Sequence, residues 1–261
     1  MSKTATLFIS HIISEETMFR YNQLKRGCAE FGHDLFWAVD ETKVKDSELD
    51  PKIKYYKFSY ERYSNELPFI LYGNKKDEHI NSANGVVLLF NEDMHGLYDY
   101  IWVVEYDVCM MGEWNEFFRQ YENSTADLIT KNITHTDKLE YWNKWDFYAK
   151  NEHVLMDLVN ERKALAKSLN CLSRVSTFLL ELILNFLREF DDRSAFYEWV
   201  WPSVAYLYGR EVVQFQSNRF SCTKIPADFV DFKKGMPYHA IKADVCWNDY
   251  LKKYLNDGKS K

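Results

Sequence analysis

The sequence has no two cysteines close enough to form a CxxC unit; its five thiols, Cys28, Cys109, Cys171, Cys222 and Cys246, are scattered and odd in number. That spacing indicates neither a zinc knuckle nor a disulfide framework, and reduced thiols in a cytoplasmic protein are the simplest account. A basic excess is also missing. The formal charge is -6 over 261 residues, with acidic and basic side chains intermixed, so no nucleic-acid partner is expected. There is no Gly-x-Gly-x-x-Gly and no Walker lysine loop, which counts against a dinucleotide or P-loop ATP site. Long apolar runs are lacking too. The most apolar stretch, Phe178 to Leu187, contains Glu181 and Asn185 and is far too short to span a bilayer. The opening MSKTATLFISHIISEE is broken by His11 and offers no small-residue cleavage site, so it reads as a strand and not a signal peptide. The expectation is a soluble chain without a transmembrane segment, peripheral membrane association being left open. With no repeat and no low-complexity linker, one continuous domain is expected, large enough to need no disulfide staples.

What the chain has in excess is aromatic rings: 18 Tyr, 18 Phe and 8 Trp, 17% of the residues. Rings in that number either fill a core or line a cleft, where the apolar face of a pyranose stacks on them. Composition favours the core.

The order of elements begins with a β-branched apolar run, Thr6 to Ile13, read as a buried strand. Ser14-Glu15-Glu16 supplies an N-cap and an acidic first turn, Phe19, Leu24, Cys28 and Phe31 follow at helical spacing, and Gly32 ends the helix. Leu35 to Val39 is a second strand that stops at Asp40, completing a β-α-β unit of the kind that opens nucleotide-binding α/β layers. Asp46 to Leu67 reads as strand plus mobile loop, Pro68 to Gly73 as a short strand, and Ser82 to Phe90 as helical or extended. Tyr100 to Val104 is apolar throughout and hence central to a sheet. A helix over Asn115 to Tyr121 and a strand over Asp127 to Thr130 follow. Asn151 to Phe190 is expected to be mainly helical, Phe196 to Tyr208 a helix kinked or begun near Pro202, and the tail from Glu211 strand-like before a frayed basic end.

The chemistry concentrates where the central strand runs out into Glu105-Tyr106-Asp107. Alternation in an extended segment points Glu105 and Asp107 to one side and Tyr106 to the other. Ligands of open α/β sheets bind at the carboxyl ends of strands, and two carboxylates there repel unless a cation lies near them. Oxygen ligands suit Mg²⁺ or Mn²⁺, which also chelates nucleotide phosphates. The bland alternative is a strand terminus with two solvated acids.

The string Tyr98-Asp99-Tyr100-Ile101-Trp102-Val103-Val104-Glu105-Tyr106-Asp107-Val108 resembles the strand and DxD motif of GT-A glycosyltransferases, in an ExD form with Glu105 in the first position. The resemblance extends to the order of elements over most of the chain. It implies a GT-A-like α/β fold in one domain, with a central mixed sheet. A Rossmann-like nucleotide-sugar-binding half would cover about residues 1–110 and a more helical acceptor half about 111–261. It also implies a metal shell of Asp107 and Glu105 completed by a late His. His239, in Gly235-Met236-Pro237-Tyr238-His239-Ala240-Ile241-Lys242, fits that place, with Gly235 and Pro237 allowing a tight loop and Lys242 offsetting phosphate charge. Asp40 stands where the fold places a carboxylate on the nucleoside, though a turn or cap Asp reads equally well. In Ser194-Ala195-Phe196-Tyr197-Glu198-Trp199-Val200-Trp201-Pro202-Ser203, Glu198 lies amid rings that would desolvate it. Glu198 then serves as base toward an acceptor hydroxyl, with Tyr197, Trp199 or Trp201 stacking on the acceptor sugar. An amphipathic core helix with Glu198 facing water is the alternative. Arg174 is assigned to the acceptor or diphosphate, or else to a structural salt bridge, and Trp142 and Trp145 to the acceptor wall or the core.

Together these imply transfer of a sugar from a nucleoside diphosphate sugar, a UDP-sugar by expectation, to a glycan acceptor, with Mn²⁺ or Mg²⁺ as cofactor and inversion at the anomeric carbon. Two competing classes remain. A nucleotidyltransferase acting on sugar phosphates would show a Gly-rich, Lys/Arg-containing loop after the first strand, where this chain has Ser10-His11-Ile12-Ile13-Ser14. A non-catalytic carbohydrate-binding protein would need no acidic pair.

Overall fold

The computed structural model describes residues 2–67, 82–135, 165–188, 197–216, 221–222, 235–239, 241 and 249. Strand β1 covers Thr4–Ile9, helix α1 Glu15–Phe31 and strand β2 Asp34–Asp40. The local sequence sets both ends of α1. The Ser14 hydroxyl accepts from the Thr17 N–H and the Thr17 hydroxyl accepts from the Ser14 N–H, a reciprocal capping box with threonine in place of the usual acid or amide. At the other end Gly32 takes the left-handed conformation, φ 66°, and the following His33 N–H donates back to the Cys28 carbonyl.

Next come β3 (Tyr55–Phe58), α2 (Tyr60–Glu66) and α3 (Ser82–Asp93), which settles the ambiguous segment as helix. The expected strand at Pro68 to Gly73 lies outside the described residues. Strand β4 is Tyr100–Glu105, β5 Cys109–Met111, α4 Trp114–Phe118, β6 Leu128–His135 and β7 Ala166–Ser176. Helix α5 is Thr177–Arg188, α6 Tyr197–Leu207, β8 Val212–Gln214, β9 Ser221–Cys222 and β10 Met236–His239.

Of the expected mainly helical 151–190, residues 165–188 are described: Thr177–Arg188 is helix as expected, and strand β7 is a correction. Its sequence, AKSLNCLSRVS, carries Lys167, Asn170 and Arg174 and few β-branched residues, so neither periodicity nor propensity marks it. Pairing decides instead. It lies antiparallel between β4 and β6, with Trp102 opposite Arg174 and Ile129 also opposite Arg174. Helix α6 runs through Pro202, which has no N–H for the Glu198 carbonyl one turn back. The Ser168 hydroxyl, whose shorter bond of 2.7 Å goes to Asn170 Oδ1, lies 3.4 Å from that carbonyl.

The main sheet has seven strands in the order β3-β2-β1-β4-β7-β6-β8. Among the described residues β7 alone runs against the others, so the sheet is mixed, as expected. The described strands after residue 111 thus complete the same sheet. A smaller sheet, β5-β10-β9, continues from the end of β4.

Side-chain alternation along β4 divides the core. Ile101 and Val103 pack with α3, α5 and α6 on one face, while Trp102 and Val104 pack with α1 and α4 on the other. Much of the aromatic content sits here. Trp37, Trp102, Trp114, Trp199 and Trp201 are all buried, and Trp102 contacts Phe117, Phe118, Tyr121 and Phe215. Helices α1 and α4 touch at Gly27, where an added Cβ would stand 2.4 Å from the Trp114 Cβ. Among the described residues no helix is long and apolar enough to cross a membrane.

Candidate metal centre at the ends of β1 and β4

The site forms where the sheet order reverses. Chain direction moves outward from β1 to β2 and β3, then returns to place β4 on the other side of β1, with Ile9 opposite Glu105. Carboxyl ends of strands at such a switch point leave a crevice that flanking helices cannot fill. Glu105 ends β4 there. The Tyr106 N–H donates to the Ile9 carbonyl at 2.9 Å, adding one more bond between the strands, and the Val108 N–H closes a turn on the Glu105 carbonyl at 2.9 Å. That turn carries Asp107, whose side chain is only 3% exposed as a residue.

The third group arrives from far along the chain. Instead of the expected tight loop, Gly235, with φ 78°, is a turn residue leading into β10, which pairs antiparallel with β5 so that Tyr238 faces Cys109. This register brings His239 beside the turn, with Nε2 3.3 Å from Asp107 Oδ1. The Ile241 N–H then donates to the Asp107 carbonyl at 2.8 Å. One donor atom each from Glu105, Asp107 and His239 fall within 4.8 Å of one another. Two carboxylates and an imidazole, with one acid buried, match a hard-to-borderline divalent cation such as Mn²⁺ or Mg²⁺. The sequence-level reading of these three residues as neighbours is what the structure shows.

Two residues on α1 hold this arrangement, and the sequence reading passed over both. Arg20 is buried, and its Nη1 donates to the Tyr106 carbonyl at 2.9 Å and to the Ile241 carbonyl at 2.8 Å. One guanidinium therefore ties the acid-bearing turn to the segment following His239. Gln23, three residues on and also buried, donates through Nε2 to the carbonyls of Met110 and Gly112, at 3.0 and 2.6 Å. Arg20, Gln23 and Gly27 follow helical spacing on one buried face, a signal hidden by the neighbouring apolar stripe of Leu24 and Cys28. Between the two carbonyl clamps lies Cys109, its thiol pushed up by burial, against the pull of the Arg20 charge and with Asp107 raising it further.

On the opposite face the Tyr197 hydroxyl donates to Glu105 Oε1 at 2.5 Å. Burial, followed by the charge of Glu105, raises the Tyr197 phenol well above its ordinary value, so it stays protonated and acts as the donor.

The other expected residues are placed as follows. Tyr106 is half-buried and packs edge-to-face against His11 from the loop after β1, centroids 5.1 Å apart. Asp40 ends β2, its Oδ1 accepting from the Thr42 N–H at 3.0 Å and the Thr42 hydroxyl at 2.6 Å, the arrangement of a turn Asp. Arg174 is buried on β7, where its guanidinium donates to the carbonyls of Tyr121, Ser124 and Ala126 and lies over the Tyr100 ring. Trp199 and Trp201 are enclosed in the core. The Trp201 Nε1 donates to Asn84 at 2.9 Å, so the structure gives both rings to packing and not to a sugar-facing surface. Glu198 is half-buried, next to Tyr197 at the start of α6. Lys242, Trp142 and Trp145 lie outside the described residues.

No protein-family model and no curated protein matches the sequence. Among solved structures the chain is similar to the apo form of mouse xyloside xylosyltransferase 1, at 10% identity and TM-score 0.49, covering 91% of this chain and 97% of that one. It is also similar to the galactosyltransferase LgtC in complex with donor and acceptor sugar analogs, at 8% identity and TM-score 0.48, covering 84% and 75%. A third is 4-diphosphocytidyl-2C-methyl-D-erythritol synthase from Anaerococcus prevotii, at 8% identity and TM-score 0.44, covering 83% and 90%.

Proposed function

We propose that the chain is a metal-dependent glycosyltransferase that moves a sugar from a nucleoside diphosphate sugar, a UDP-sugar in the first instance, to a hydroxyl of a glycan acceptor. The observation that carries this reading is the convergence of Glu105, Asp107 and His239 at the switch point of a mixed α/β sheet. Asp107 and His239 would hold Mn²⁺ or Mg²⁺, with Glu105 beside them. When bound, the ion neutralises charge developing on the departing diphosphate.

The chain's own residues account for the rest. The His11 and Tyr106 rings, paired edge-to-face in the loops that follow β1 and β4, are the surface proposed for a flat base or a ribose. Following the resemblance, Asp40 at the end of β2 is proposed for the nucleoside, and Lys242, the next residue in sequence after Ile241, to offset phosphate charge. Glu198 is the proposed base. It is the second residue of a helix whose first, Tyr197, touches Glu105, and removing a proton from the acceptor hydroxyl from there suits in-line attack with inversion. A cytoplasmic location is proposed from the scattered, odd-numbered cysteines, of which Cys28, Cys109 and Cys171 are buried thiols and not disulfides.

A release assay tests the reading. With a panel of UDP-sugars and oligosaccharide acceptors, free UDP is expected only with Mn²⁺ or Mg²⁺ present and not in EDTA. Glu198→Gln is expected to slow release about 10²- to 10⁴-fold, the usual range for loss of a general base. Pyrophosphate released from a nucleoside triphosphate and a sugar phosphate would instead assign the site to a nucleotidyltransferase. Binding of glycans without any nucleotide affinity would make the chain a carbohydrate-binding protein.

A further inference from the structure

Glu105 is the odd member of the metal set. It lies on the Ile101–Val103 side of β4, the side covered by α6, whereas Asp107 follows the turn. A carboxylate at a strand end has a free torsion on each side of its methylene groups, and binding a cation requires that it be held in one orientation. The residue opposite it is built to do so.

Tyr197 opens α6 with its ring buried and fixed on several sides. The ring packs edge-to-face on Trp201 one turn on, centroids 5.5 Å apart, and Trp201 is itself tied to Asn84. The Tyr197 carbonyl accepts from Asn170 Nδ2 at 2.7 Å. Asn170 Oδ1 in turn accepts from the Thr130 hydroxyl at 2.8 Å and the Ser168 hydroxyl at 2.7 Å. This chain of bonds anchors the start of α6 to β6 and β7. From that anchor the phenol reaches Glu105 Oε1 at 2.5 Å, in the short range of hydroxyl–carboxylate bonds.

We infer that Tyr197 is a positioning residue that orients the Glu105 carboxylate for the divalent cation, so that the β6–β7–α6 unit sets the geometry of the metal site. The inference rests on the metal reading above. It gives a purpose to a phenol that packing alone does not require: a phenylalanine of nearly equal volume would fill the same space. Outer-sphere partners of metal ligands typically change metal affinity about 10- to 100-fold when removed.

The experiment measures Mn²⁺ binding by calorimetry in the absence of donor and acceptor, for the parent, Tyr197→Phe, Glu105→Gln, the Tyr197→Phe/Glu105→Gln double variant and Asp107→Asn. Thermal midpoints in EDTA report folding separately, and titrations at low temperature keep any destabilised variant folded. Tyr197→Phe is expected to raise the Mn²⁺ Kd about 10- to 100-fold, and to add almost nothing once Glu105 is already Gln. Parent-like affinity in Tyr197→Phe, alongside lost binding in Asp107→Asn, overturns the role of Tyr197 and leaves the metal site standing. So does a Tyr197→Phe effect that persists undiminished in the Glu105→Gln background. Parent-like affinity in Asp107→Asn overturns the metal site itself, and the positioning role with it.

Discussion

His33 sits in the loop between α1 and β2, between Phe31 and Phe118 and beside the Thr6 hydroxyl at 3.4 Å. Burial, helped by the charge of Arg174, lowers its pKa from 6.5 to about 4. The unfolded chain therefore takes up a proton near pH 6.5 that the folded chain refuses until near pH 4. The sign follows: the contribution to stability is fully present above pH 6.5 and is lost as the pH falls toward 4, up to about 3 kcal/mol for a shift of that size. Urea unfolding of the parent and of His33→Gln at pH 7, 5.5 and 4 checks this. The parent is expected to lose more stability than the variant over that interval; parallel curves would remove His33 from the account. At this scale the sequence was legible where chemistry and position coincide. Glu105 and Asp107 stand out because acids follow directly on an apolar run. Tyr197, Trp199 and Trp201 were assigned by their type, and ring type does not reveal whether a face meets solvent or core. Tyr197 meets Glu105 through its hydroxyl.

At the scale of elements, the helix α1 illustrates how a local preference can be reversed by packing. Alanine has a helix propensity about 1 kcal/mol better than glycine, so Gly27→Ala would be expected to stabilise an exposed helix interior. Here the new Cβ would meet the Trp114 Cβ at 2.4 Å, backed by the α4 main chain, with Trp114 itself buried against Phe117 and Phe118. The substitution is expected to destabilise the protein by about 1–3 kcal/mol, the range for overpacking, and to loosen the α1–α4 contact. A raised midpoint in thermal unfolding would contradict it. Helix α1 was readable end to end because its caps are encoded by Ser14, Thr17 and Gly32. Strand β7 was not, because what makes it a strand is the pair of neighbours β4 and β6, about 65 and 35 residues earlier in the chain. The same non-locality hid β10: Gly235 and Pro237 look like loop residues until β5 supplies the partner.

Over the whole molecule, the candidate metal centre depends on three separate parts of the chain meeting at one edge of the sheet. Strand β4 and its turn bring Glu105 and Asp107, the β10 register brings His239, and the α1 side chains Arg20 and Gln23 bind the backbone around them. The opening β-α-β unit and the apolar β4 announce the α/β class from sequence, and the resemblance placed His239 correctly beside Asp107. The pairing that achieves this, and the buried guanidinium that secures it, could be seen only with the chain folded. The central claim is that this site takes a divalent cation together with a nucleoside diphosphate. Its most direct test is calorimetric titration of UDP into the protein with Mn²⁺ and again with EDTA, for the parent and for Asp107→Ala. Binding that requires Mn²⁺ in the parent and is lost in a folded Asp107→Ala is the predicted result. UDP affinity indifferent to EDTA, or unchanged by the substitution, would contradict it.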